Sequence, residues 1–165
     1  MLIWFLLESE SPPVRGGYHE LRVQYVQRMP IPKGLNEDDR LSNLARAAQS
    51  AAAERLALQT AVTRRIPDLC SSERREQDGS VKLGRKLESW WKLDFPLFRA
   101  EIVKRFKSDI PLAERSEWED WLAASRRGID THSATIAAAE REIDAIVYCL
   151  FGLTDVEIEL LDANS

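Results

Sequence analysis

A mainly α fold is predicted for this 165-residue chain: a long antiparallel helical hairpin of coiled-coil type, with short packing helices and a small N-terminal β element. Three features predict it. From Asp38 to Ile66 the chain has no Gly or Pro and is rich in Ala. Leu122, Ile129, Ile136, Ile143 and Leu150 recur every seven residues, the spacing of a helical seam. Between these stretches lies a polar segment near 67–80 that reads as a mobile connection.

In chain order, residues 1–9 read as the end of a helix, broken by Ser11-Pro12-Pro13, since consecutive prolines cannot continue one. The apolar run Leu2–Leu7 lacks the basic leader and cleavage site of a secretory signal and is far short of the about 20 residues a membrane span needs. It reads as a buried segment of something longer, of which this chain is the C-terminal piece; left exposed, it would support a homodimer. After the Gly16-Gly17 turn, residues 18–25 alternate, with Leu21, Val23 and Tyr25 on the inward face of a strand. This division gives residues 1–34 as a helix end plus β element and residues 35–165 as a helical hairpin or bundle.

The first long helix carries Leu41, Leu44, Ala48, Ala51, Leu58 and Val62 along one seam, with Asp38 or Asp39 as its cap and Pro67 as its stop. A basic, Trp-bearing stretch runs from Lys82 to Trp91. A short amphipathic helix follows over roughly 96–107, with Phe98, Ile102 and Phe106 on one face. Pro111 opens the last large helix. Trp118, Ser125, His132, Ala139 and Ile146 are the companion positions of its seam, Gly128 is a place for a kink, and Gly152 is a left-handed cap. Thr154-Asp155-Val156-Glu157 is a capping box for a short terminal helix.

Composition excludes more than it assigns. With 44% hydrophobic and 30% charged residues the chain can bury a core, and two cysteines, Cys70 and Cys149, are too few for a disulfide scaffold or a Cys-rich zinc site. They fit a reducing, cytoplasmic setting, with Cys149 structural on the apolar face beside Ile146 and Leu150. The net charge of −4 hides an asymmetry: residues 80–111 carry eight bases and four acids, and residues 112–165 carry four bases and twelve acids. Gly79-Ser80-Val81-Lys82-Leu83-Gly84 lacks the spacing of a phosphate-binding loop, and His19 and His132 have no second ligand at metal spacing. Paired acids such as Glu114/Glu117 read as a solvated helix face. The tryptophans at 90, 91, 118 and 121 read as core or as base-stacking platforms. No catalytic constellation, cofactor site or metal site is legible.

Three blocks carry a family resemblance. They are Ser11-Pro12-Pro13-Val14-Arg15-Gly16-Gly17-Tyr18 with Gln24-Tyr25-Val26 and Pro30-Ile31-Pro32; Trp90-Trp91-Lys92-Leu93-Asp94-Phe95-Pro96-Leu97-Phe98 with Glu117-Trp118-Glu119; and Glu142-Ile143-Asp144-Ala145-Ile146-Val147-Tyr148-Cys149-Leu150-Phe151-Gly152-Leu153-Thr154. In order and spacing, from about Leu2 to Leu160, they resemble the extreme C-terminal region of type IIG restriction–modification enzymes and related adenine-specific DNA methyltransferases. The resemblance implies a non-catalytic target-recognition portion with helical support. Methyl transfer and S-adenosylmethionine would then belong to an upstream methyltransferase domain. Ser11-Pro12-Pro13-Val14 is close to the catalytic loop of amino-group methyltransferases but lacks its aromatic ring, so it is not read as one.

The expected partners are double-stranded DNA and that upstream domain, with no membrane. The DNA-binding candidates are Arg15, Gly16, Gly17, Tyr18, Arg22, Lys82, Arg85, Lys86 and Lys92: Arg15 for a phosphate or guanine edge, and the lysines and Arg85 for phosphates. The alternative is a helical interaction or dimerisation module without DNA contact, which the acidic C-terminal part and the heptads favour.

Overall fold

The computed structural model describes residues 13–14, 18–19, 27, 30–32, 34, 39–70 and 81–163. The expected N-terminal helix end, the apolar run Leu2–Leu7, the strand beyond His19 and most of the polar connection, residues 71–80, lie outside the described residues.

The described elements are almost all helical. They are α1 (Asp39–Arg65), α2 (Arg85–Glu88), α3 (Phe95–Phe106), α4 (Arg115–Phe151) and α5 (Asp155–Ala163), with 3₁₀ turns at Ile66–Leu69, Trp90–Lys92 and Leu112–Glu114. The expected fold class needs correction: among the described residues this is a mainly α domain of several packing helices, with no β element larger than a two-residue pairing. The extended pairing among the described residues is two residues against two, Pro13 opposite His19 and Val14 opposite Tyr18. That two-stranded ladder closes a turn. A pairing this short is marginal in water and gives helices no layer to pack on.

The chain divides into two compact units, Met1–Ala48 with Ala137–Ser165 and Gln49–Ile136. In the first, Arg40 of α1 lies 3.9 Å from Glu142 of α4, and Ala139 and Tyr148 are buried. Helix α4 ends as its sequence demands. Gly152 takes φ +65, its N–H donates to the Cys149 carbonyl, and the Leu153 N–H donates to the Tyr148 carbonyl, both at 3.0 Å. This is the paired bonding of a Schellman cap. The Thr154 N–H and hydroxyl both donate to the Glu157 carboxylate at 2.8 Å, forming the start of α5. Cys149 lies beside Ile146 and Leu150 as expected, lining a shallow depression with them, but it is exposed, which corrects its reading as structural.

In the second unit α1 and α4 run antiparallel. The Arg55 guanidinium donates to the Ser133 hydroxyl at 3.3 Å, His132 lies 3.4 Å from Glu54, and Leu58 packs over Gly128. The polar seam positions are thereby accounted for: Ser125 is buried, and His132 is half-buried against a carboxylate. The core holds Val62 and Ile66 from the end of α1, Leu87 and Trp90 from the segment before α3, and Phe98, Ile102 and Phe106 from α3. These α3 residues recur at the four-residue spacing of one helix face. Asp94 caps α3 by accepting from the Leu97 N–H at 2.8 Å. Trp90 is fully buried, and its indole N–H donates to the Gln59 carbonyl of α1 at 3.1 Å. Truncating a side chain of that size to Ala in a close-packed core costs about 3–5 kcal/mol. The start of the polar connection is itself packed, since Cys70 is a buried core residue.

Gly128 does not break the helix. It sits inside an uninterrupted helix from Arg115 to Phe151, and a Cβ placed there would lie 2.7 Å from Leu58 Cδ1. The glycine is a notch that lets a leucine of α1 seat against the backbone of α4. Gly128→Val is therefore expected to cost about 1–3 kcal/mol through overpacking. In a Leu58→Ala background that cost should shrink, as measured by urea unfolding in a double-mutant cycle. Equal costs in both backgrounds would show that Leu58 does not occupy the notch.

Candidate nucleic-acid interface

The basic stretch is held in place by apolar residues. Leu87 and Trp90 point into the core, at 1% and 0% exposure, while Lys82, Arg85, Lys86 and Lys92 stay at the surface. Local sequence sets this division: α2 is a single turn, so Leu87 and Trp90 three residues apart share its inner side and the bases take the outer one. Gly84, with φ +83, opens the turn in a conformation that side chains rarely adopt. A Cβ there would meet nothing within 4 Å.

The four bases are not equivalent. Lys86 is engaged with Glu101 of α3 at 2.8 Å, and that hydrogen bond holds the Glu101 carboxyl below its ordinary pKa, with Lys104 adding to the effect. Arg85 and Lys92 make no ion pair among the described residues. The Lys82 carbonyl accepts from the Arg105 guanidinium at 2.6 Å, which ties the segment to the last turn of α3. The structure therefore places beside Lys82 a residue that the sequence reading did not single out, Arg105. Its signal is faint, a base in the last turn of a helix, where bases are favoured by the helix dipole in any case. Its position beside Lys82, 23 residues away, is a tertiary fact. Of the other candidates, Arg15, Gly16, Gly17 and Arg22 lie outside the described residues, and Tyr18 is placed by its backbone opposite Val14.

A second charged cluster fixes the turn between α3 and α4. Asp109 receives both Arg99 nitrogens, at 2.7 and 2.5 Å, and Arg115 at 2.7 Å. Arg115 also donates to the Ile110 carbonyl at 3.1 Å, and the backbone of the Phe95-side turn is held by a hydrogen bond from Arg126 to the Leu93 carbonyl. The Arg99 hydrogen bond, then the Ile110 N–H and the charge of Arg115, pull the Asp109 pKa from 3.8 down to about 2 against the opposing effect of desolvation. Both arginines are committed to this clamp and are poor candidates for phosphate contact.

The tryptophans divide as well. Trp90 is core. Trp118 stacks on Phe98 at 6.0 Å between ring centroids and lies 5.4 Å from Trp121, both half-buried at the margin of the core. Among the described residues no group of three or more His, Cys, Asp or Glu side chains could hold a metal ion, and no helix is long and apolar enough to cross a membrane.

The chain belongs to the family described as a domain of unknown function (DUF8810), whose match covers residues 35–147, more than half of the chain. That span takes in α1, the basic segment, α3 and most of α4. No curated protein and no solved structure matches the chain.

A carboxyl group whose folded pKa lies below its unfolded one contributes stability that is fully present above the unfolded value and lost as pH falls through the folded one. Asp109→Asn is accordingly expected to lower stability at neutral pH and to flatten its decline between about pH 4 and pH 2, followed by urea unfolding across that range. Parallel curves for the two proteins would show that the clamp does not govern acid sensitivity.

Proposed function

We propose that this chain is the non-catalytic, C-terminal target-recognition portion of an adenine-specific DNA methyltransferase or type II restriction–modification enzyme, working in the cytoplasm on double-stranded DNA. The observation that carries the reading is the exposed set Lys82, Arg85 and Lys92 on a segment pinned by Leu87 and Trp90. A rigid base with outward cations neutralises phosphates without ordering a loop at the moment of binding. The three blocks that resemble the C-terminal region of such enzymes support the same reading. S-adenosylmethionine and the chemistry of methyl transfer belong to the upstream domain, and no step of that reaction is assigned to residues of this chain. Arg15 and Tyr18, beside the Gly16-Gly17 turn, are the proposed base-reading end, and the helices are its support.

Binding of the full chain to mixed-sequence duplex DNA tests this. Affinity should fall steeply with salt, and Arg85→Ala or Lys92→Ala should each reduce the salt slope by about 1. Lys86→Ala should change it less, because its ammonium is already paired with Glu101. Arg15→Ala should weaken binding to a recognised site more than to random duplex. Absence of salt-sensitive binding at low ionic strength would favour the second reading, a helical interaction module. The exposure of Leu56, Leu97 and Leu112, at 62%, 55% and 78%, supports that reading.

A further inference from the structure

Away from the basic segment, the second unit carries a groove of about 460 Å³ lined by Arg65, Asp68, Glu114, Glu117, Trp118 and Trp121. Its chemistry is aromatic and anionic. Trp118 and Trp121 are half-buried, fixed by the stack on Phe98 and by their own tilted contact, so their rings form a rigid floor. Arg65 is already placed 3.5 Å from Asp68, and Arg115, the base next to Glu114, is spent on Asp109. Glu114 and Glu117 are exposed and have no basic partner among the described residues.

The groove does not end at the tryptophans. Trp121, Arg65 and Asp68 also line a second depression with Ala61 and Arg64. Ala61 and Arg64 in turn border a third, which runs along Ala57, Leu56 and Ala53 of α1. Three adjoining depressions make one track over some twelve residues of helix, about 18 Å at 1.5 Å per residue. Leu56, 62% exposed, is its apolar centre.

We propose that this track binds a polypeptide segment of a partner protein, with a Lys or Arg side chain over Trp118 and Trp121 beside Glu114 and Glu117, and apolar residues along Ala61, Ala57 and Leu56. Charge complementarity selects the occupant. A tryptophan face attracts a cation more strongly than any other side-chain ring, and two carboxylates with no basic partner among the described residues add to the attraction at its edge. The same carboxylates repel a phosphate backbone, so DNA is the wrong ligand here. The small residues of α1 let a partner helix approach closely, as in other helix-in-groove recognition. The length of the track suits a chain segment and not a small ion. This inference does not rest on the DNA reading, and it involves none of the residues proposed for DNA.

The test uses the full chain and three probes: a synthetic amphipathic Lys/Leu helical peptide, its Glu/Leu counterpart, and tetramethylammonium chloride. The readout is the indole N–H resonances of Trp118 and Trp121, assigned with Trp118→Phe and Trp121→Phe. The Lys/Leu peptide is expected to shift both resonances, while the Glu/Leu peptide leaves them in place. Glu114→Gln with Glu117→Gln should weaken the Lys/Leu peptide about fivefold with an unchanged melting temperature, because both residues are exposed. Leu56→Asp should weaken it without displacing the cation from the tryptophans. Equal binding of both peptides, or Lys/Leu binding indifferent to the Gln pair, would overturn the proposal. So would a response to tetramethylammonium as strong as to the peptide, which would leave a cation site with no polypeptide track.

Discussion

The indole N–H of Trp90, buried at 0% exposure and bonded to the Gln59 carbonyl, is the contact on which the second unit turns. A buried donor without a partner costs about 1–3 kcal/mol, so the ring can be completely enclosed only where an acceptor waits. α1 supplies one from its own backbone, at a carbonyl that also accepts from the Thr63 hydroxyl at 2.7 Å. With Trp90 nailed to α1, Leu87 follows into the core, and the bases between and beside them are left outside. The basic face is thus a by-product of how one aromatic residue is satisfied.

Charges of both signs are sorted by the same packing. Arg99, Arg115 and Asp109 hold the turn that joins α3 to α4. Lys86 and Glu101 brace α2 against α3. Lys82, Arg85 and Lys92 remain on one surface segment, and Glu114 and Glu117 remain by the tryptophans. Exposed pairs of this kind are individually weak, so the clamp around Asp109 owes its strength to shared geometry, two arginines converging on one carboxylate. A partner can use what the surface then presents: Arg85 and Lys92 for an anionic polymer on one segment, carboxylates with aromatic rings for a cationic chain on another. An average net charge of −4 conceals both.

Much of this was legible in the sequence, and for a physical reason. Helical periodicity is a local property, set by side chains three and four residues apart, so the long gap without Gly or Pro and the seven-residue spacing were enough to place α1 and α4. Caps are equally local: Asp94, Gly152 and the Thr154–Glu157 box each act within one turn of their own position. A β layer is different, because a strand needs neighbours from elsewhere in the chain, and alternation within one segment does not encode them. Cys149 was misplaced for a related reason. A seam can be assigned to within one residue, but 100° of rotation separates an inward position from an outward one.

What the sequence alone determined is the helical content, the ends of the helices and the apolar face of α3. Tertiary structure decided the rest. Only packing shows that Gly128 is a seat for Leu58 and not a break, that Lys86 is spent on Glu101 while Arg85 and Lys92 make no ion pair among the described residues, that Arg105 belongs beside Lys82, and that Trp121 faces a groove shared with Arg65 and Asp68. Each of these joins residues 15 to about 70 positions apart. Which charge meets which, and which ring is covered, depends on how the chain folds back on itself, and no local rule of propensity or spacing carries that information.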